Sequence, residues 1–371
     1  MRTFGIKPEI KAGENSLSFL KNLPYKKYFI VTDEMMVQLK LTDKIVDNLN
    51  SDCTIKIFSK VLPNPTVDIV QKGIVDLIKF EPECVIALGG GSPIDACKAI
   101  LYFGDKIFKL LGKKNERLFI AVPTTSGTGS EVTSYSVITD HSSKIALADD
   151  EMLPNIAVLN PEFMKTLPKK VVADTGMDVL THALEAYVSK NSNPFTDAMA
   201  LEAMKIVFEN LLDHYEDRSI LEPREKVQYA SCMAGAAFNN SSLGINHSIA
   251  HSIGAKFHIP HGRANAILLP YIIEVNSNAD EKYAAVAKAL GLPASSVAEG
   301  KHALKIWIEI MKEKMEIQKS LKEYGVDFEE FKKLIPEILT DIKKDICTEY
   351  NPNQLSDEEY IKLLIKVYYG E

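Results

Sequence analysis

The chain has 371 residues, a formal charge of −7 with an isoelectric point near 5.7, and 46% hydrophobic against 25% charged residues. That is the balance of a soluble globular protein, long for one core, so two domains are the default, and the negative charge disfavours nucleic acid or an anionic membrane as partner. No stretch approaches the ~18 apolar residues of a membrane span, MRTFGIKPEIKAGENS lacks the apolar core of a signal peptide, and five scattered cysteines without CxxC spacing point to free thiols in a reducing cytoplasm.

The first part alternates strands with helices. Tyr28–Thr32 (YFIVT) reads as a short apolar strand that ends in Asp33 before a helical stretch, and Cys53–Ser59 alternates like a strand. The turn LPNPT leads into a helix from about Val67 to Phe80. Cys84–Leu88 (CVIAL) is a buried-type strand, followed by GGGSPID and a helix to about Phe103; Leu118–Val122 (LFIAV) is another, followed by PTTSGTGSE. Such strands separated by helices predict a mainly parallel sheet covered on both faces, with ligands at the carboxyl ends of its strands.

Two of those ends carry loops suited to phosphate. Gly89, Gly90, Gly91 and Ser92 open a helix with no side chains to collide with a ligand, and offer amide N–H groups and the positive helix end to a pyrophosphate. A tight structural turn is the competing reading, because the spacing is not GxGxxG. The second loop, Thr124 to Glu131, has five hydroxyl side chains and two glycines in eight positions. Two such loops at successive strand ends suggest a dinucleotide. Asp33 could accept ribose hydroxyls and repel a 2′-phosphate, favouring NAD over NADP, or could simply cap the next helix.

From roughly Pro168 the pattern turns helical. Segments near Thr181–Val188, Asp197–Leu212, Arg224–Ala237, His247–Phe257, Asn265–Val275, Glu281–Ala289, Ala298–Lys314, Phe328–Lys344 and Glu358–Tyr369 read as helices. The predicted division is therefore an α/β domain over 1–165 and an all-helical domain over 166–371. Four of the eight histidines (His247, His251, His258, His261) fall within NHSIAHSIGAKFHIPHGR. His247 and His251 share a helix face, and Pro260 and Gly262 turn the chain so that His261 can return toward them. Asp178 and His182 form a second i, i+4 pair. His258 alone, between Phe257 and Ile259, reads as an ordinary surface or core histidine. Imidazoles with a carboxylate and no sulfur suit Zn²⁺ or Fe²⁺. A divalent ion there would polarise a carbonyl or stabilise an alkoxide, and beside a nicotinamide that is hydride transfer between alcohol and carbonyl. With the glycine-rich turns in one half and the metal pairs in the other, the active site is expected between them. Glu185 and Glu131 read as structural partners or caps before general bases.

GGGSPIDACKA, PTTSGTGSEVTS, TGMDVLTHALEAYVS and NHSIAHSIGAKFHIPHGRANAILLP together resemble the iron-dependent (group III) alcohol dehydrogenases, along nearly all of the chain to about Asn276. Within that family the chain looks most like the propanol dehydrogenases of microcompartments and the ethanolamine-linked alcohol dehydrogenases. The resemblance implies a Rossmann-like dinucleotide-binding domain followed by a helical metal domain, the dehydroquinate-synthase-like fold. It implies that Asp178, His182, His247 and His261 bind the metal, while His251 is a proton relay near the nicotinamide. It also implies cofactor contacts at Asp33, Asn64, Gly89, Gly90, Gly91, Ser92, Asp95, Thr124, Thr125, Thr128 and Lys144, the last after a loop shorter than in some relatives.

The expected protein is thus an Fe²⁺-dependent (or Zn²⁺-dependent), NAD-linked alcohol dehydrogenase of the cytoplasm. It would reduce propanal or acetaldehyde reversibly to the primary alcohol. It would act as a homodimer or larger homo-oligomer, with microcompartment association open. The alternatives are a 1,3-propanediol, lactaldehyde or 4-hydroxybutyrate dehydrogenase of the same family. A dehydroquinate-synthase-like cyclase would need a cluster of Lys and Arg around the metal, where the core metal stretches hold few basic residues, Arg263 among them; a metal-containing scaffold protein is the non-enzyme reading.

Overall fold

The computed structural model describes residues 4–113, 116–140 and 143–371, with the side chains of 140, 143 and 144 left aside. The chain divides into two compact units, Gly5–Thr166 and a second made of Leu167–Glu371 with Phe4.

The first unit carries strands β1 (Glu9–Ala12), β2 (Lys27–Asp33), β3 (Thr54–Val61), β4 (Cys84–Gly89), β5 (Leu118–Pro123), β6 (Tyr135–Asp140), β7 (Ser143–Ala148) and β8 (Ile156–Leu159). Its helices are α1 (Glu34–Gln38), α2 (Leu41–Val46), α3 (Val67–Phe80) and α4 (Gly91–Leu110). Six strands form one parallel sheet in the order β1-β8-β5-β4-β2-β3, and β6 pairs with β7 in an antiparallel hairpin. The apolar runs YFIVT, CVIAL and LFIAV make its centre because residues such as Phe29, Val85, Ile86 and Ala121 must be covered on both faces. β2 has β3 on one side and β4 on the other, so strand order reverses there, and the carboxyl ends of β2 and β4 flank the reversal.

Sequence pattern missed β1 and β8, each only four residues long, β1 being largely exposed at the sheet edge. Neither is long enough to show alternation. α4 also continues to Leu110, beyond the expected end near Phe103.

The second unit is helical throughout: α5 (Lys169–Val188), α6 (Pro194–Glu216), α7 (Leu221–Ser241), α8 (Ile245–Phe257), α9 (His261–Val275), α10 (Asp280–Ala289), α11 (Val297–Lys314), α12 (Leu321–Tyr324), α13 (Phe328–Lys344) and α14 (Asp357–Tyr369). α5 packs against α6, α7 and α9 and is buried over most of its length. A helix covered on all sides should be apolar all round. Along one stripe α5 instead carries Asp174, Asp178, His182 and Glu185, and all four are buried. Burial of ionisable groups requires partners for each, and those partners build the site. Among the described residues no helix is long and apolar enough to cross a membrane.

Candidate metal centre and cofactor loops

Asp178, His182, His247 and His261 each present one donor atom, and the four atoms lie within 4.8 Å of one another. Asp178 Oδ1 stands 3.8 Å from His247 Nε2 and 3.6 Å from His261 Nε2, while Asp178 Oδ2 is 4.0 Å from His182 Nδ1. α5 contributes the first pair, one turn apart on the same face. α8 contributes His247. α8 ends at His258 in the left-handed conformation (φ 54°), and Pro260 precedes His261, the first residue of α9. The close approach of α9 to α5 depends on Gly262: a Cβ there would lie 2.1 Å from the Asp174 carbonyl oxygen.

The electrostatics suit a cation. Burial pushes the Asp178 carboxyl above its usual range, against the pull of His182 and of the Asn265 amide. Burial, then the neighbouring rings, pushes His247 well below the usual imidazole value, which keeps it neutral with a lone pair to give. His247 Nδ1 meets Glu185 Oε2, which turns Nε2 toward Asp178. Glu185 Oε1 accepts the Asn246 backbone N–H at 2.7 Å, so the same carboxyl caps α8, whose own N-cap is Gly244. Burial raises Glu185 to about 8 against those hydrogen bonds. A carboxyl–imidazole pair behind a donor nitrogen is the usual support of a histidine that ligates metal. One carboxylate and three imidazoles, with no sulfur, fit Fe²⁺ or Zn²⁺.

His251 stands apart from the four. Its ring stacks on His261 with centroids 5.2 Å apart, and its Nδ1 meets Asp345 Oδ2 at 2.7 Å. Burial would raise Asp345, yet the hydrogen bond and charge of His251 hold it down at about 2. Asp345 Oδ1 also accepts from Ser248 Oγ at 3.2 Å. His258 is exposed and serves as the α8 C-cap. Arg263 donates from Nε to Asp174 Oδ1 at 2.5 Å and from Nη1 to Glu316 O and Gln318 Oε1, both at 3.0 Å. It is thus committed to the protein, and Lys256 is paired with Glu337 and Asp341, so neither basic residue of this stretch is left for a phosphorylated substrate.

In the α/β unit, Gly89 and Pro123 face each other in register, so the two loops leave the sheet side by side. Gly89 has φ +149°, and a Cβ on Gly91 would lie 2.9 Å from Thr128 Cγ2, so the glycine run lets the loops touch. Thr124 donates its N–H to Gly89 O at 3.0 Å, Thr125 lies against Gly90, and Asn64 donates its N–H to Ser92 Oγ at 3.3 Å. The structure therefore gathers Asn64, Gly89 to Ser92, Thr124, Thr125 and Thr128 at adjacent strand ends. Asp33 Oδ1 accepts the Met36 N–H at 3.0 Å as the cap of α1. Asp95 faces the second loop, with Oδ1 accepting from Ser130 Oγ at 2.6 Å and Oδ2 from the Val137 N–H at 3.1 Å. The Lys144 side chain lies outside the described residues.

The model of the iron-containing alcohol dehydrogenase family matches residues 8–161, and that of the carboxyl-terminal part of the Fe-containing alcohol dehydrogenases matches residues 172–368. The chain belongs to the iron-containing alcohol dehydrogenases. It is 42% identical to the NADPH-dependent butanol dehydrogenase of Clostridium saccharobutylicum, covering 100% of this chain and 99% of that one. It is 38% identical to the 1-propanol dehydrogenase of Salmonella typhimurium, over 98% of this chain and 99% of the relative. The solved structure of sulfoacetaldehyde reductase from Bifidobacterium kashiwanohense in complex with NAD⁺ superposes with a TM-score of 0.88 at 26% identity, covering 100% of both chains.

In this iron-containing alcohol dehydrogenase the sequence pattern overlooked Lys98, Asn265 and Asp345. Lys98 is wholly buried on α4, where Nζ donates to Ser130 Oγ (3.0 Å), Thr133 O (2.7 Å) and Tyr135 O (2.8 Å). It sits seven residues after Gly91 and three after Asp95, on the face that holds the second loop. A lysine inside the apolar run DACKAILYF was the available signal. Asp345 gave none, because its partner lies 94 residues away.

Proposed function

We propose that this alcohol dehydrogenase reduces short-chain aldehydes, propanal and acetaldehyde among them, to primary alcohols with NADH, and runs reversibly. The observation that carries the reading is the convergence of one buried carboxylate and three imidazoles within 4.8 Å, with a fourth imidazole alongside that belongs to none of the donors. In this reading Asp178, His182, His247 and His261 hold the metal. When bound, the ion supplies Lewis-acid polarisation of a carbonyl oxygen and the nicotinamide supplies hydride.

The chain's own residues do the rest. Glu185 holds His247 in the tautomer that leaves Nε2 as donor. Asp345 fixes His251 through Nδ1, leaving Nε2 to carry a proton between solvent and the reacting oxygen. The loops at Gly89 to Ser92 and Thr124 to Thr128 offer backbone N–H groups and hydroxyls to the pyrophosphate. Asp33, at the carboxyl end of β2, disfavours a 2′-phosphate, which supports NADH even though the butanol dehydrogenase relative is NADPH-dependent.

Oxidation of NADH and of NADPH, each with acetaldehyde, propanal, butanal and lactaldehyde, tests the reading. NADH with propanal or acetaldehyde should give the highest kcat/KM. Absence of aldehyde-dependent oxidation by anaerobically purified, metal-loaded protein contradicts it. His251→Ala should lower the rate with metal retained, whereas His261→Ala should lose metal; equal metal content in the two variants would overturn that division of roles.

A further inference from the structure

His247 is the third residue of α8, inside the first turn, where backbone N–H groups have no acceptor within the helix. Gly244, the N-cap, has no side chain to supply one, so the acceptors come from elsewhere in the fold. Glu185 Oε1, from α5, takes the Asn246 N–H at 2.7 Å, and Asn351 Oδ1 takes the Ile245 N–H at 3.3 Å. A Cβ on Gly244 would lie 2.7 Å from the Asn351 oxygen and 2.9 Å from the Glu185 oxygen, so these two atoms fill the space of a capping side chain. Asn351 follows the short turn Ile346–Tyr350 and forms a reciprocal amide pair with Asn276, the C-cap of α9, both being buried. Its Nδ2 donates to Asn276 Oδ1 at 2.8 Å and to Asn353 O at 2.7 Å, while its Oδ1 accepts from Asn276 Nδ2 at 3.2 Å. Two backbone groups, the Ile245 N–H and the Asn353 carbonyl, fix which way this amide points.

We propose that Asn351 is a positioning residue for His247: its side-chain oxygen caps α8 in place of Gly244 and ties the first turn of that helix to the end of α9. This rests on the ligand set proposed above. A terminal turn without acceptors frays, and a ligand carried on a fraying turn is in place for only part of the time. The apparent affinity for an ion falls by that fraction. A side chain at position 244 could cap the turn locally. The imported caps do more, because they tie α8 to α5 through Glu185 and to α9 through Asn276, the two helices that carry the other donors. None of these bonds uses a lone pair of a ring nitrogen or of the Asp178 carboxylate, so they leave the donor atoms to the ion. Asn351 lies 106 residues after Ile245, which is why sequence pattern gives no sign of the contact.

The test reads hydrogen exchange residue by residue in the metal-stripped protein, and Co²⁺ affinity by competition with a chelating dye. In the wild type the Ile245 amide should be protected like the interior of α8. An unprotected amide overturns the proposal, and this measurement decides even if the variants misfold. Asn351→Ala and the similarly sized Asn351→Leu should exchange several-fold faster at Ile245, Asn246 and His247 alone, and bind Co²⁺ about 10-fold more weakly with an altered visible spectrum. Faster exchange throughout the helical unit would mark a merely structural role and overturns the proposal, as does wild-type Co²⁺ affinity in a folded variant. Asn353→Ala is the control, since the Asn353 side chain reaches the Asn278 N–H and Ser277 Oγ at the far side of the amide pair. It should leave both readouts unchanged, and a loss equal to that of Asn351→Ala overturns the proposal. His247→Ala guards the premise: wild-type Co²⁺ affinity in that variant refutes the ligand set itself, whatever the asparagine variants do.

Discussion

Replacing Gly262 by alanine adds one methyl group that is no ligand itself, yet it should dismantle the metal centre. The new Cβ would lie 2.1 Å from the Asp174 carbonyl oxygen and 3.3 Å from Asp178 Cβ, where real Cβ contacts do not fall below 3.0 Å. The first neighbour is backbone of α5 and cannot rotate away, so α9 must withdraw by about 0.9 Å. His261, the residue before Gly262, moves with it, while Asp178 stays on α5. Metal–ligand distances tolerate only about 0.2 Å. A withdrawal several times larger removes His261 from the donor set, with affinity falling by at least the roughly 10- to 100-fold that a lost orienting partner costs. Overpacking of this kind also costs ~1–3 kcal/mol of stability. The assay is metal content after anaerobic purification, beside the thermal midpoint and NADH-linked propanal reduction. Gly254→Ala on α8 is the control, because its Cβ would meet only Ile259 O, at 3.1 Å. Stoichiometric metal and full activity in Gly262→Ala would refute the dependence of the site on this helix contact.

Three further outcomes are expected. Lys98→Met removes the ammonium that ties Ser130, Thr133 and Tyr135 to α4 and strands buried acceptors at a cost on the order of 3 kcal/mol; it should raise the Kd for NADH several-fold by fluorescence titration while leaving metal content intact. Asp345→Asn keeps a hydrogen-bond partner for His251 but not its charge, so kcat should fall with metal retained, and loss of metal instead would place Asp345 in the wrong role. His214 is buried, and burial first, then Arg224 and Arg218, lowers it to about 4. It is neutral when folded, whereas the unfolded chain takes up a proton near pH 6.5. Its contribution is therefore complete above that pH and lost as pH falls toward 4, about 3 kcal/mol in all. Urea midpoints across that window should drop in the wild type and flatten in His214→Leu.

Much of this was legible in the chain because it is local. The i, i+4 spacing of Asp178 with His182 needs only a helix to share a face, and Pro260 announces the turn that starts α9 at His261. The apolar runs named β2, β4 and β5, and the loops behind β4 and β5 followed from their composition. What stayed hidden depends on packing between distant segments. Asp345 meets His251 only because α13 ends beside α8, and Asn265 reads as a surface-neutral residue until α9 is laid against α5. Glu185 is an intermediate case: it falls on the same stripe of α5 as Asp178 and His182, so spacing placed it near the site, but only the fold gave it both the α8 cap and the back of His247. β1 is invisible for a different reason, since a four-residue exposed edge strand has no apolar face to betray it.

The most direct measurement is a metal-edge anomalous difference map from crystals of protein purified and grown without oxygen. One peak per chain is predicted, about 2.0–2.3 Å from a carboxylate oxygen of Asp178 and from one ring nitrogen each of His182, His247 and His261. A peak ligated by His251 or His258, or one that leaves Asp178 out, would contradict the account.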